Sequence, residues 1–177
     1  GGSFVGATPE ILARVVGDAI TSHALAGTRP CGDHNAAVVG RELLNSAKDR
    51  HEHQLVADAV IAALTPLATE LNCASTPQLL RVPGMCHLET PVRGRLRPGL
   101  SVRDVANALH PTPAVCGAPS GAAKAWLAAH EPLQRGMYAG HIGWQGDDGS
   151  GVAAVGIRSM LLRGGCATLF AGAGIVA

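Results

Sequence analysis

A carboxylate near the middle of a long helical pattern is the first candidate for chemistry. Residues 46–64 form this pattern, and Ser46 followed by Asp49 has the spacing of a helix-capping box. Pro66 ends it, because proline lacks a backbone N–H and clashes with the preceding turn. The residues at helical spacing that we predict to face inward are Val56, Ala59, Val60 and Ala63. Glu52 lies four residues before Val56, so the same face extends to its side chain.

A carboxylate that faces the interior needs a partner, and the sequence allows two kinds of partner. Lys48, one turn earlier, could form an ion pair with Glu52. Alternatively, Glu52 could hold a hard cation such as Mg²⁺, which prefers carboxylate and water oxygens. His51 and His53 flank Glu52, but helical residues one or two positions apart point in different directions. This stretch is therefore not the H-E-x-x-H zinc pattern.

An arginine in an apolar segment is the second candidate. Residues 152–162 alternate like a strand with no polar face, which predicts one strand buried on both sides. Arg158 would then be a buried guanidinium that needs an anion, and Gly156 on the same face leaves room for one. The anion could be a structural carboxylate or the carboxylate of a ligand. The glycine-rich residues 171–175 could also cradle an anion with their backbone N–H groups.

A stiff loop is the third candidate. Residues 110–119 contain Pro111, Pro113, Pro119 and Gly117 among apolar residues. Irregular backbone of this kind often forms the wall of a ligand site, but it also serves as a plain connection. Both interpretations stay open from the residues alone.

Composition limits the class of protein. The 177 residues suit one domain or a piece of a larger one, and 47% of them are hydrophobic, enough for a core. A formal net charge of +1 without a basic block gives no indication of nucleic-acid binding. No apolar run reaches transmembrane length, so we expect no membrane partner. The five cysteines are scattered and odd in number, which predicts free thiols and a cytoplasmic protein.

The remaining elements predict an α+β fold. Strands are expected at residues 4–7, 12–16, 19–25, 78–82, 85–96, 140–144, 152–162 and 167–170. Helices are expected at residues 35–45, 46–64, 101–109 and 120–131. Residues 26–30 are expected to leave the strand as a loop, with an exposed backbone at Gly27.

Six stretches in order carry a resemblance to a known family. They are SAKDRHEH at 46–53, HLETP at 87–91, LHPTPA at 109–114, EPLQRGMYAG at 131–140, IRS at 157–159 and AGAGIV at 171–176. Together they resemble the chorismate-utilising enzymes, and the isochorismate synthases in particular. The resemblance implies the anthranilate synthase component I-like fold, with layered β-sheets and flanking helices. It also implies that residues 1–177 are part of a single chorismate-binding domain that lacks its N-terminal part and its extreme C-terminal segment.

The resemblance implies a Mg²⁺-dependent conversion of chorismate to isochorismate, in which water adds to the ring and a hydroxyl leaves. Glu10 in the T-P-E motif resembles the general acid, and Glu52 resembles one of two Mg²⁺ carboxylates. The positions that match substrate-contacting residues are Gly27, Thr28, His87, Ala114, Tyr138, Arg158 and Gly172. Arg158 is expected to clamp a substrate carboxylate, with Tyr138 hydrogen-bonding nearby and His87 orienting the substrate.

Two family residues have no counterpart in this sequence. A lysine that resembles the general base precedes the position of Phe4, and the second Mg²⁺ carboxylate follows the position of Val176. We therefore expect residues 1–177 alone to be inactive. We also expect the protein to be a monomer.

Three features separate the members of the family. Ala26 before Gly27 argues against aminodeoxychorismate synthase, which has a nucleophilic lysine there. The helix continues D-A-V-I at 58–61, unlike the anthranilate synthases, and H-P-T-P at 110–113 favours isochorismate over salicylate synthase. Salicylate synthase and a non-catalytic carboxylate-binding module remain alternatives, and the pathway (siderophore, salicylate or menaquinone) stays open. A zinc hydrolase is disfavoured, because no ligand pair has metal spacing.

Overall fold

The computed structural model describes residues 1–172. The strands in this range are β1 (Gly2–Gly6), β2 (Ile11–Val16), β3 (Ala19–Pro30), β4 (Ala68–Cys73), β5 (Gln78–Val82), β6 (Met85–Leu96), β7 (His141–Gln145), β8 (Gly151–Val155), β9 (Ser159–Arg163) and β10 (Cys166–Phe170). The helices are α1 (Ala36–Asn45), α2 (Ala47–Leu64), α3 (Val102–Leu109) and α4 (Ser120–His130). The predicted α+β class is confirmed.

The strands form two antiparallel sheets. The large sheet has the order β4-β6-β3-β2-β8-β7, and β5 pairs with the first half of β6. The small sheet has the order β1-β9-β10. Because β1 precedes β2 and β9 follows β8, the chain passes from one sheet to the other twice.

Local capping explains where two of the helices begin. The Ser46 hydroxyl accepts a hydrogen bond from the backbone N–H of Asp49 at 3.3 Å, which begins α2 as predicted. Ser101 and Asp104 form a complete capping box at the start of α3. In α4, Pro119 occupies the N-cap position and Ser120 is the first helical residue.

Helices α2 and α3 cover the large sheet and enclose the main core. The buried side chains of α2 are His53, Ala57, Val60 and Leu64. This face is rotated by one residue from the predicted one, so Glu52 lies at its edge with 22% of its side chain exposed. The predicted ion pair with Lys48 is present only as a long contact, with 3.9 Å between Lys48 Nζ and Glu52 Oε1.

The prediction of one strand over residues 152–162 was wrong. This segment contains β8 in the large sheet and β9 in the small sheet, and Gly156, Ile157 and Arg158 separate them. Arg158 has a positive φ of 50° and is exposed, which also overturns the prediction that it is buried. The two strands share one apolar pattern because both pack against protein, so periodicity alone did not indicate the break.

Two further differences concern the strands of the large sheet. Strand β3 continues to Pro30 instead of ending before Ala26, and its register with β6 shifts between Ala26 and Thr28. This shift is a β-bulge at Gly27, whose φ of 73° suits a glycine. Strand β4 was not predicted, because its mixed sequence A-T-E-L-N-C has little β signal of its own and is ordered by pairing with β6.

Within residues 1–172, no helix combines the length and the apolar character needed to cross a bilayer.

Candidate functional site

The two chain crossings between the sheets lie side by side. The first crossing, residues 7–10, joins β1 to β2, and the second, residues 156–158, joins β8 to β9. The backbone N–H of Val155 donates to the carbonyl of Glu10 at 2.9 Å, and that of Ala7 donates to the carbonyl of Arg158 at 3.1 Å. These bonds hold Glu10 and Arg158 together at the seam between the sheets.

A cavity of about 430 Å³ opens at this seam. Its lining includes five of the residues that sequence reasoning selected, namely Glu10, Ala114, Tyr138, Arg158 and Gly172. They come from five different segments of the chain: the two crossings, the proline-rich loop, the segment before β7 and the end of β10. The proline-rich loop thus lines this cavity at Ala114.

Aromatic and ionic contacts set the shape of the cavity wall. The Tyr138 ring stacks on Phe170 with centroids 5.1 Å apart, and a Cβ at position 172 would lie 2.6 Å from the Tyr138 hydroxyl. Glycine at 172 therefore leaves space for that hydroxyl. Arg135 donates to both carboxylate oxygens of Glu131 at 2.6 and 2.7 Å and to the carbonyl of Val115 at 2.7 Å, tying two loops together.

The two guanidinium groups that line the cavity differ in whether a carboxylate pairs with them. The charge of Arg135 is compensated by Glu131. In the described part of the chain, no carboxylate lies within ion-pair distance of Arg158. Because Arg158 is exposed, its guanidinium is accessible to solvent and to an external anion.

The environment of Glu10 favours its protonated form more than water does. Burial raises the pKa of Glu10 above its ordinary value, because a half-buried carboxylate is poorly solvated. The Thr112 hydroxyl lies beside it and acts in the opposite direction. Among the described residues, that buried hydroxyl oxygen has no partner with good hydrogen-bond geometry, so its effect on Glu10 is the weaker one.

His87 and Thr28 form a second group on the paired strands β3 and β6. Thr28 Oγ1 lies 2.8 Å from His87 Nδ1. Burial lowers the pKa of His87, and the positive charge of Arg158 lowers it further. Both effects favour the neutral imidazole over the protonated one. Neither residue lines the cavity itself.

Gly27 joins the strand pair to α2. A Cβ at Gly27 would lie 3.3 Å from Leu88 Cδ1 and 3.4 Å from Asp49 Cβ, so glycine allows the bulge to approach the first turn of α2. Asp49 Oδ2 accepts a hydrogen bond from Arg29 Nη2 at 2.7 Å, which fixes the same junction. Glu52 lies one turn further along α2 and, like Gly27, outside the cavity lining.

The donor set near Glu52 fits part of a magnesium site. Glu52 offers a partly exposed carboxylate with only the long contact to Lys48, so its oxygens can bind a cation. Among residues 1–172, no three His, Cys, Asp or Glu side chains converge as metal ligands. Mg²⁺ commonly uses one or two protein carboxylates together with substrate and water oxygens, and Glu52 has the chemistry of one such carboxylate.

Sequence reasoning missed the role of His53. This side chain is 1% exposed, and its Nε2 lies 2.8 Å from Thr90 Oγ1 while its Nδ1 lies 3.3 Å from the carbonyl of Ala26. It therefore anchors α2 to β3 and β6 and fixes the direction of the adjacent Glu52. The spacing of His53 with Ala57, Val60 and Leu64 was the available signal.

A neighbouring cavity of about 480 Å³ shares Val115, Arg135, Tyr138 and Ala139 with the first and extends along α4. It contains neither Glu10 nor Arg158. We therefore assign the candidate site to the cavity at the seam, whose lining includes both Glu10 and Arg158.

Comparison with known proteins places the chain in a family. A family model described as a chorismate binding enzyme matches residues 1–177. The salicylate biosynthesis isochorismate synthase of Pseudomonas aeruginosa is 46% identical over 176 residues, which cover 98% of this chain and 37% of the relative.

Two solved structures have the same fold. The menaquinone-specific isochorismate synthase of Escherichia coli superimposes with a TM-score of 0.90 at 32% identity, over 99% of this chain and 41% of that one. Anthranilate synthase component I of Streptococcus pneumoniae superimposes with a TM-score of 0.84 at 27% identity, over 94% of this chain and 37% of that one. The chain thus spans 37–41% of the length of these relatives. It belongs to the chorismate-binding enzyme family and has the anthranilate synthase component I-like fold.

Proposed function

We propose that the protein containing this chain is an isochorismate synthase, which converts chorismate to isochorismate. The observation that carries the proposal is the meeting of Glu10 and Arg158 in one cavity at the seam between the sheets. Chorismate is a dicarboxylate, and the reaction releases a hydroxyl group. A cation for a carboxylate and a carboxyl for the leaving oxygen are the two groups this substrate requires.

Glu10 is proposed to act as the general acid. Loss of the ring hydroxyl leaves charge on its oxygen, and a proton from Glu10 allows it to leave as water. Burial keeps a larger share of Glu10 protonated near neutral pH than in a solvated glutamate, which supports this role. General acid assistance of this kind contributes roughly 10²–10⁴-fold to a rate.

The remaining candidate residues, both in the cavity and on the neighbouring strands, are proposed to bind and orient the substrate. Arg158 pairs with a substrate carboxylate, and the Tyr138 hydroxyl beside Gly172 donates a hydrogen bond nearby. Ala114 contributes an apolar contact from the proline-rich loop. The neutral His87, held by Thr28 with the Gly27 bulge behind it, orients the substrate from the sheet.

Magnesium is proposed as the cofactor, with Glu52 as one of its ligands. The bound cation would neutralise a substrate carboxylate and fix its position. In the chain itself, His53 and the Arg29–Asp49 pair hold the Glu52 turn of α2 against β3.

The product of the reaction tests the proposal. The full-length protein is incubated with chorismate and excess Mg²⁺, and the products are separated by chromatography. We expect isochorismate, with loss of activity on chelation and recovery on adding Mg²⁺. Residues 1–177 alone are expected to show none of this activity, and they serve as the comparison.

Three outcomes would contradict the proposal, and a fourth would contradict only the expected inactivity of residues 1–177. Salicylate with release of pyruvate would identify a salicylate synthase, and anthranilate formed with an added ammonia source would identify an anthranilate synthase. Chorismate binding by calorimetry without turnover would indicate a non-catalytic member of the family. Isochorismate formation by residues 1–177 at the full-length rate would mean that the catalytic base lies within this chain.

A further inference from the structure

Two cysteines outside the proposed site lie in direct contact. Cys31 directly follows β3, Cys86 lies near the start of β6, and their Sγ atoms are 2.8 Å apart. Cys31 is 8% exposed and Cys86 is 0% exposed. Of the five cysteines, these two are the buried ones, whereas Cys73 and Cys116 are half-buried and Cys166 is exposed.

The backbone holds the two thiols in place. The N–H of Cys31 donates to the carbonyl of Gly84 at 2.9 Å, and Arg29 pairs with Cys86 in the antiparallel register of β3 and β6. The two sulfur atoms thus project from adjacent paired segments into one small core, which Ala36, Leu43 and Leu88 also form. Burial among these side chains limits the space into which either thiol can rotate.

We propose that Cys31 and Cys86 are an oxidative modification site and form an intramolecular disulfide in the folded protein. The contact satisfies the main requirement of such a bond, which is two sulfur atoms brought together without rearrangement of the backbone. The inference does not depend on the proposed function, because neither cysteine contributes to the cavity at the seam.

The oxidant we infer is a small peroxide, which can reach a mostly buried thiol. The Cys31 thiolate attacks one oxygen of hydrogen peroxide, the O–O bond breaks, and Cys31 becomes a sulfenic acid with release of water after proton uptake. The Cys86 sulfur then attacks the Cys31 sulfur, the S–O bond breaks, and a second water leaves. The two thiols lose two electrons and two protons, and the peroxide is reduced to two waters.

The order of the steps follows from exposure. Cys31 reacts first, because its sulfur is on the more accessible residue, and Cys86 resolves the sulfenic acid. The contact with Cys86 and burial raise the pKa of Cys31, so little thiolate is present at neutral pH. Oxidation is therefore slow at pH 7 and accelerates in alkaline solution. Slow oxidation at neutral pH is typical of a stabilising disulfide and not of a fast redox sensor.

The disulfide would close a loop of 55 residues between the end of β3 and the start of β6. Chain-entropy arguments for a loop of this length predict an increase in Tm on the order of 5–15 °C. The disulfide would lie next to His87, which follows Cys86 in the sequence. His87 in turn contacts Thr28.

The test is thiol counting on the folded, full-length protein before and after treatment with hydrogen peroxide. Free thiols are alkylated under denaturing conditions, and peptides are mapped by mass spectrometry without reduction. We expect Cys31 and Cys86 to disappear as free thiols, a peptide pair joined through them, and an increase in Tm that a reductant reverses. Because the mapping uses the protein without substitutions, its result does not depend on whether a variant folds.

Variants test the order of the steps. Cys86→Ala should leave a sulfenic acid on Cys31 that dimedone labels, whereas Cys31→Ala should leave Cys86 reduced. Cys73→Ala, on β4 outside the pair, is the matched control and should form the bond at the wild-type rate. Persistence of both thiols after extended oxidation at alkaline pH would overturn the proposal, as would a mapped disulfide that joins other cysteines.

Discussion

The ion pair between Arg29 and Asp49 offers the sharpest test of how the fold positions the Glu52 turn. We predict that Asp49→Asn lowers the free energy of unfolding by about 1–2 kcal/mol. The pair is short, with 2.7 Å between Arg29 Nη2 and Asp49 Oδ2, and 15% of the Asp49 side chain is exposed. Removing one partner of a fully buried pair costs about 3–5 kcal/mol, and exposed pairs contribute about 0.2–1 kcal/mol. Because 37% of the Arg29 side chain is exposed, solvent screening places this pair between the two classes.

The same pair predicts a pH dependence. Burial opposes ionisation of Asp49, but the Ser46 hydroxyl and the Arg29 charge together outweigh it and lower the pKa of Asp49 below its ordinary value. A carboxyl with a lowered pKa stabilises the fold fully above its unfolded pKa, and this contribution is lost as the pH falls through the folded pKa. The difference between wild type and Asp49→Asn should therefore be largest near neutral pH and shrink in acid.

Urea unfolding of the full-length protein, followed by circular dichroism between pH 3 and pH 7, measures both effects. Asp33→Asn is the matched control, because Asp33 also pairs with an arginine, Arg81, but at 3.4 Å and with a fully exposed side chain. We expect this control to change the free energy of unfolding by less than about 0.5 kcal/mol. Equal changes in the free energy of unfolding for the two substitutions would refute the reasoning. A difference between wild type and Asp49→Asn that stays constant in acid would refute it as well.

Three further predictions concern the proposed site and use the full-length protein. Glu10→Gln should lower kcat with little change in Mg²⁺ affinity. It should also raise Tm at pH 8 but not at pH 4, because an acid with a raised pKa destabilises the fold only once the pH exceeds its unfolded pKa. Glu52→Gln should raise the Mg²⁺ concentration needed for half-maximal activity, since an amide oxygen is a poorer ligand for a hard cation, and identical Mg²⁺ titrations for both glutamate variants would contradict this division of roles. Arg158→Leu should raise KM for chorismate by an amount equivalent to roughly 1.5–3 kcal/mol, the range for hydrogen bonds to charged groups, and an unchanged KM in a folded variant would exclude the carboxylate clamp.

Elements with strong local signals could be predicted from the sequence. Helix α2 begins at its Ser46 cap and ends before Pro66, and α3 begins with the Ser101–Asp104 capping box. These signals act over three or four residues, so no distant contact is needed to produce them. The ordered motifs also identified the family, which the comparison confirmed over the whole chain.

Other features depended on partners far away in the chain. Strand β4 exists because β6 pairs with it, and β3 passes through the Gly27 bulge because α2 and β6 hold it on both sides. The inward face of α2 was misjudged by one residue, because Ala26 and Thr90 provide buried partners for His53 that a helical pattern does not reveal. A histidine is placed on a buried face only when its ring nitrogens find partners there.

The sequence by itself thus determined the helices, most of the strands, the family and the residue types that the proposed reaction requires. Only the tertiary structure decided that residues 152–162 divide between two sheets and that Arg158 is an exposed residue at the turn. Hydrophobic alternation indicates that a segment is buried, but it does not indicate which sheet the segment joins. The meeting of Glu10 with Arg158 follows from two chain crossings almost 150 residues apart, and only long-range backbone pairing could bring them to one seam.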